Sequence, residues 1–187
     1  MALSINDIKA GLTLLLDGEV WLSQECQHIK PGKGAAFVRV KMRNLKTGNV
    51  LERTFRGDEK IEQAYVEERR LQYQYNSGEI YHFMDQDTYE EISISKAAIG
   101  EEIKFLKDNL EIQAYFFKNE PLNINLPNFI EFEIIDTEPG IKGDTAKSGT
   151  KPAKIETGAT VQVPLFINKG DRIKLDTRSG GYVERVS

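Results

Sequence analysis

Residues 19–44 read EVWLSQECQHIKPGKGAAFVRVKMRN, and the periodicity of this stretch sets the class of fold. Two strand-like runs, 19–28 and 36–44, flank a short basic turn. In the second run Val38, Val40 and Met42 alternate with Arg39, Lys41 and Arg43. A period of two places three apolar side chains on one face of a strand and three cations on the other. The pair therefore predicts a β-hairpin with Lys30-Pro31-Gly32-Lys33-Gly34 at its tip. Pro31 presets φ for the second position of a turn, and Gly32 suits the positive φ that a type II turn needs at the third. Lys33 then falls at the exit of the turn, and Gly34 lets the chain reverse.

Outward from this hairpin the same grammar repeats. The runs 111–117 (EIQAYFF), 129–135 (FIEFEII) and 160–165 (TVQVPL) are rich in β-branched and aromatic residues. Turn chemistry separates the runs: Asp17-Gly18, Thr47-Gly48-Asn49, Asn76-Ser77-Gly78, Asp85-Gln86-Asp87 and Ser179-Gly180-Gly181. Such spacing describes an all-β chain of small barrels or sandwiches. Pro164 cannot donate to a ladder, so the Val-Pro step is expected in an edge strand or at a bulge. One helical pattern stands out, from Ser95 to Asn109, where Ile99, Ile103 and Leu106 recur at helical spacing; it reads as a helix plugging a barrel end. Breaks near Ala64 and Pro127 divide the 187 residues into three units, 1–64, 65–128 and 129–187. Residues 140–152 read as a flexible polar loop.

Charge is distributed unevenly over those units. Basic and acidic residues number 10 and 8 in 1–64, 6 and 12 in 65–128, and 9 and 9 in 129–187, for a net charge of −4. Between Glu25 and Glu52 there is no acidic residue, yet Lys30, Lys33, Arg39, Lys41, Arg43 and Lys46 all lie there. A row of cations beside a lysine-tipped loop suits a phosphate backbone. The competing reading is an edge strand kept soluble by its charges.

Catalytic chemistry lacks its parts. Gly32-Lys33-Gly34 is too short for a phosphate-binding P-loop, has no Ser or Thr after the lysine, and leads into a strand. The carboxylate pairs Glu67-Glu68, Glu90-Glu91 and Glu101-Glu102 are sequence neighbours that diverge on any regular element and read as solvated surface. The lone cysteine, Cys26, excludes an internal disulfide, and with His28 and His82 as the only histidines a structural zinc site lacks ligands. No cofactor and no metal are expected. With no apolar run long enough for a bilayer and no signal-peptide pattern at its start, the chain is expected to be a cytoplasmic monomer with no membrane partner.

Four blocks carry a resemblance that reaches further. They are the Lys30–Gly34 loop, Gly143-Asp144-Thr145, the run from Thr157-Gly158-Ala159 to Val163-Pro164-Leu165, and the tail from Asp176-Thr177-Arg178-Ser179-Gly180 to Tyr182-Val183-Glu184-Arg185. In order and spacing they closely resemble bacterial translation elongation factor P over essentially the whole chain. The resemblance implies an N-terminal SH3-like (KOW-like) barrel followed by two OB-fold barrels, in an L-shaped arrangement the size of a tRNA. It implies a factor that binds the 70S ribosome between the peptidyl and exit sites and stimulates peptide-bond formation at stalled consecutive prolines. Lys33 would be the loop-tip residue, in many members extended by a modifying enzyme, that reaches the CCA end of the peptidyl-tRNA. Lys30, Pro31, Gly32 and Gly34 would support it, and Arg39, Lys41 and Arg43 would face the nucleic-acid backbone. Gly143, Asp144 and Thr145 would meet the exit-site codon of the messenger, and Tyr182 and Arg185 the small subunit. Alternatives are an elongation-factor-P-like paralogue, a general single-stranded RNA-binding OB protein, or a KOW-containing transcription factor, the last giving no reason for the Tyr182–Arg185 tail. The two-domain relative that carries hypusine lacks a counterpart to residues 129–187.

Overall fold

The computed structural model describes residues 2–57, 59, 61–139 and 149–186. Three sheets are built there, each from one consecutive stretch of chain. The first contains β1 (Ala2–Leu3), β2 (Thr13–Leu16), β3 (Glu19–Ile29), β4 (Phe37–Asn44), β5 (Val50–Arg56) and β6 (Ile61–Gln63), ordered β1-β6-β2-β3-β4-β5. The second contains β7 (Glu67–Ser77), β8 (Ile80–Asp85), β9 (Glu91–Ser95), β10 (Glu111–Phe117) and β11 (Glu120–Asn125), ordered β11-β10-β7-β8-β9. The third contains β12 (Phe129–Thr137), β13 (Thr150–Ile155), β14 (Thr160–Pro164), β15 (Arg172–Asp176) and β16 (Gly181–Val186), ordered β14-β13-β12-β15-β16. The fold clusters into two compact units, Met1–Glu68 with Tyr115–Asn123, and Arg69–Ala114 with Ile124–Ser187.

The alternation read from β4 holds in three dimensions: Val38, Val40 and Met42 are buried with Leu14, Phe55 and Ile61 in the first core, while Arg39, Lys41 and Arg43 face solvent. β4 lies between β3 and β5, so its cations do not decorate an edge. In the third sheet β14 and β16, at opposite ends of the order, lie against each other and curl the sheet toward closure. Pro164 ends the edge strand β14, where its missing N–H costs no ladder bond.

The expected helix over 95–109 is replaced by something shorter. One helical turn, α1 (Lys96–Ile99), passes into a 3₁₀ segment, Gly100–Phe105. Gly100 takes φ +75° and terminates the turn, and Ser95 at the N-cap makes no side-chain capping bond. The plug reading holds in altered form: Phe105, 2% exposed, leaves the segment after the second sheet's β9 and enters the core of the third, against Phe132 with ring centroids 5.9 Å apart.

Of the polar loop expected over 140–152, residues 140–148 lie outside the described residues, and Thr150, Lys151 and Pro152 belong to β13. A proline inside an interior strand is unusual. Here the β12–β13 ladder stops at Thr137↔Ala153, so at Pro152 the strand is paired only with β14.

Asp85 closes the expected turn after β8. Its carboxylate, nearly buried, accepts the N–H groups of Asp87 (2.8 Å) and Thr88 (3.0 Å). Burial pushes its pKa up, but these bonds and the charge of Arg69 outweigh it and hold the pKa below the ordinary Asp range. A depressed folded pKa means stabilisation fully present above the unfolded value and lost as pH falls through the folded one. Thermal melts by circular dichroism should therefore show Asp85→Asn destabilised at neutral pH and less sensitive than the parent to acidification below about pH 4. An unchanged acid limb would refute this role.

Candidate nucleic-acid interface

The hairpin of β3 and β4 is held from its base. His28 Nε2 donates to the carbonyl of buried Ile8 (3.0 Å), tying the root of the hairpin to the segment beneath it. The last rung is Ile29↔Phe37, and residues 30–35 beyond it are all exposed. The geometry departs from the expected type II turn. Positive φ occurs at Gly34 (+116°) and not at Gly32, and no backbone hydrogen bond closes the loop among the described residues. The Pro31 ring lies against Gly34, 3.7 Å from where a Cβ would stand. The tip is thus an open loop creased at Gly34. Lys33 makes no hydrogen bond or ion pair among the described residues, and its ammonium is presented to solvent.

Below the tip, the row of cations is less bare than the sequence implied. Arg39 Nε lies 3.5 Å from Glu52, and Lys41 Nζ 3.3 Å from Glu25. The two glutamates that bound the acid-free interval in sequence are the ones the ladder places beside it, since Lys41 is opposite Glu25 on one side and Glu52 on the other. Arg43 has no ion pair among the described residues. Exposed pairs of this kind contribute ~0.2–1 kcal/mol each, so a phosphate can displace the glutamates at little cost. Cys26, opposite Val40, is half-buried with Sγ 3.0 Å from Ser23 Oγ, whereas His28, opposite Val38, is exposed; no group of three metal-binding side chains occurs among the described residues.

At the far end, Tyr182 and Arg185 stand three residues apart on β16, a spacing that would point them to opposite faces. A bulge at Val183 corrects this: Leu175 is opposite Tyr182 and Ile173 opposite Arg185, both buried partners on the inner face. Tyr182 packs half-buried against the third core, whereas Arg185, on the same face, stays exposed with Nη1 3.8 Å from Asp171 Oδ2. The outer face of this sheet carries two cross-strand pairs, Arg172 with Glu131 and Lys174 with Glu184, and Arg178 in the turn after β15 folds back onto Asp176, so the described residues there offer few unpaired cations. Gly143, Asp144 and Thr145 lie outside the described residues. Sequence reading missed a residue at the root of that loop: Lys151, 6% exposed, alternates inward with Ala153 and Ile155, and its Nζ donates to the Glu138 carbonyl (2.6 Å). That bond joins the two strands just past the end of their ladder. The only sequence signal was its place in the inward period of β13.

Comparison with known proteins bears on the whole chain. Three family models match in succession: the elongation factor P (EF-P) KOW-like domain at residues 4–61, the elongation factor P (EF-P) OB domain at 66–124, and elongation factor P, C-terminal, at 123–185. Elongation factor P of Pelotomaculum thermopropionicum is 53% identical over 184 residues, covering 98% of this chain and 100% of that relative. The chain belongs to the elongation factor P family. Elongation factor P of Moorella thermoacetica is 52% identical over the same shares of both chains. Among solved structures, a eukaryotic translation initiation factor 5A from Methanococcus jannaschii matches with TM-score 0.53 at 23% identity, covering 67% of this chain and 94% of that one. An initiation factor 5A family protein from Naegleria fowleri matches with TM-score 0.56 at 16% identity. These likenesses show the fold, and nearly the whole of each shorter chain is accounted for by two thirds of this one. Membership in the elongation factor P family makes the protein a translation factor and not an enzyme.

Proposed function

We propose that the protein, a cytoplasmic monomer of three domains (1–64, 65–128 and 129–187), enters the 70S ribosome between the peptidyl and exit sites and stimulates peptide-bond formation at stalled consecutive prolines. The observation that carries this reading is Lys33 itself: a solvent-facing cation on an exposed loop, in a chain that matches elongation factor P from end to end. Lys33 acts on the CCA end of the peptidyl-tRNA, with Lys30, Pro31, Gly32 and Gly34 shaping the loop and Arg39, Lys41 and Arg43 following the tRNA backbone. Gly143, Asp144 and Thr145 meet the exit-site codon, and Arg185, supported by Tyr182, meets the small subunit.

The chemistry asked of the protein is positioning. Proline is a slow acceptor with a constrained ring, so reactive geometry at the peptidyl centre is rarely populated. A cation that restrains the CCA end raises that population, an orientation effect. Tenfold in rate requires about 1.4 kcal/mol, within the range of a few charge-assisted hydrogen bonds. A bare lysine reaches ~6 Å from its Cα on ordinary bond lengths. An adduct installed on Nζ by a modifying enzyme extends that reach and adds donors, and mass spectrometry of protein from its native host should find any such mass on the Lys33 peptide. The reading is tested by the rate of Pro-Pro-Pro synthesis on purified ribosomes with and without the protein; no acceleration on that template refutes it.

The cation row makes a separate prediction. Each phosphate contact contributes about 0.7–0.9 to the slope of log affinity against log salt. Arg43→Ala should lower the slope of ribosome binding by about one unit, and an unchanged slope would remove Arg43 from the interface.

A further inference from the structure

The turn between β14 and β15 displays the most exposed phenylalanine of the third sheet. Phe166 is 59% exposed, yet nothing about its backbone is loose. Ile167 beside it is fully buried, and its N–H donates to the Pro164 carbonyl (3.1 Å). The Asn168 side chain donates to the Phe166 carbonyl (3.1 Å), and the Asp171 N–H donates to the Asn168 carbonyl (3.1 Å). Gly170 N–H and Ile134 N–H complete the anchorage by exchanging bonds between the turn and β12, to the carbonyls of Ile134 and Asp171. A turn fixed in this way holds its phenyl ring out in water instead of folding it onto the barrel.

Its surroundings are polar. Asn168 and Lys169 follow it and are exposed. Asp171 Oδ2, which accepts the Asn168 N–H at 2.7 Å, is the same oxygen that lies 3.8 Å from the guanidinium of Arg185. One carboxylate therefore closes the Phe166 turn and tethers Arg185 to it. An apolar protein contact wants a contiguous hydrophobic patch. An exposed ring on a fixed turn that also carries exposed Lys169 and is tied through Asp171 to Arg185 is instead suited to an unpaired base, because every base has a π-face and a phosphate for the cation.

We propose that Phe166 is a base-stacking platform, taking an unpaired RNA base of the ribosomal complex while Lys169 and Arg185 meet its backbone. The inference rests on the reading that the Arg185 end of the protein faces the ribosome. The test is the equilibrium affinity of the full-length protein for 70S ribosomes stalled on a Pro-Pro-Pro template, for Phe166→Ala, Phe166→Leu, Phe166→Trp and Arg185→Ala. Both side chains are exposed, so their replacement is expected to leave the melting curve in place, and circular dichroism confirms the fold of each variant. Alanine and leucine should both bind about tenfold more weakly, and tryptophan should bind like the parent, since only it restores a π-face. Full affinity in the alanine variant overturns the proposal. Full affinity with leucine overturns it in favour of an apolar contact with a ribosomal protein. If Arg185→Ala binds more weakly and Phe166→Ala does not, stacking alone fails; if neither change weakens binding, the ribosome-facing reading of this end fails with it.

Discussion

Lys33→Ala is expected to reduce the rate of peptide-bond formation on a Pro-Pro-Pro template by tenfold or more, while the thermal unfolding curve stays where it was. The first part follows from the proposed role: a tenfold loss corresponds to about 1.4 kcal/mol of positioning energy. The second follows from the geometry. Lys33 is exposed and touches no partner among the described residues, and surface substitutions of that kind fall within about 0.5 kcal/mol. Single-round translation on purified ribosomes, read against a template without prolines, separates rescue from general translation. Equal rates for the parent and the alanine variant would remove Lys33 from the mechanism. Lys33→Arg refines the result, because it keeps a cation at the tip but offers no primary amine to a modifying enzyme. Rescue by arginine shows that the charge suffices; failure assigns the work to the amine or what is attached to it.

Phe105→Ala should be the most destabilising single change of those considered. The ring is buried in the core around Phe132, Ile134 and Ile173, Lys104 Nζ stands 5.3 Å from its centroid, and its Cζ lies 3.6 Å from where a Cβ on Gly180 would be. Removing a buried phenyl costs ~3–5 kcal/mol in lost transfer energy and cavity. The loss should fall on the third core although the residue precedes it by a whole strand pair in sequence. Two further bonds cross the same joint: Thr157 Oγ1 donates to the Lys104 carbonyl (2.7 Å), and Lys107 Nζ to the Glu131 carbonyl (2.6 Å). Urea unfolding followed by far-UV circular dichroism should show the earlier transition. Trp21, the only tryptophan, packs against the first core and reports that region separately by fluorescence. A loss below about 1 kcal/mol would mean that the third core closes over the vacancy without Phe105.

How far the sequence could be read depended on the range of the interaction involved. Val38, Val40 and Met42 declared a strand because burial with period two is local information, and the run 111–117 appears intact as β10 for the same reason. Charge could not be read this way. The interval free of acid between Glu25 and Glu52 looked like a bare cationic row, and only the β3–β4–β5 ladder reveals that its two boundary residues return to pair with Lys41 and Arg39. Turn chemistry was half legible: a glycine at positive φ was required, but the choice of Gly34 over Gly32 depends on the length of loop the ladder leaves after Ile29↔Phe37. The helix over 95–109 failed because Gly100 takes φ +75° and ends the α-helical turn, and the residues after it run on as a 3₁₀ segment that carries Phe105 into the third core, so the spacing of Ile99, Ile103 and Leu106 imitates an amphipathic face that no continuous helix presents. The bond of Lys151 and the bulge at Val183 were not legible beyond the inward period that Lys151 shares with Ala153, since both are settled by where a neighbouring strand stops or slips.

The open, unbonded tip at Lys33 has a consequence for how such a chain can evolve. Among the described residues, no hydrogen bond or ion pair links residues 30–35 to the rest of the chain beyond the two strand ends. Folding therefore imposes almost no filter on which side chain stands at position 33. If the proposed role of Lys33 holds, the filter there belongs to the ribosome and to any modifying enzyme, so a library randomised at that one codon and sorted by polyproline synthesis would measure their preference with the background of protein stability already subtracted.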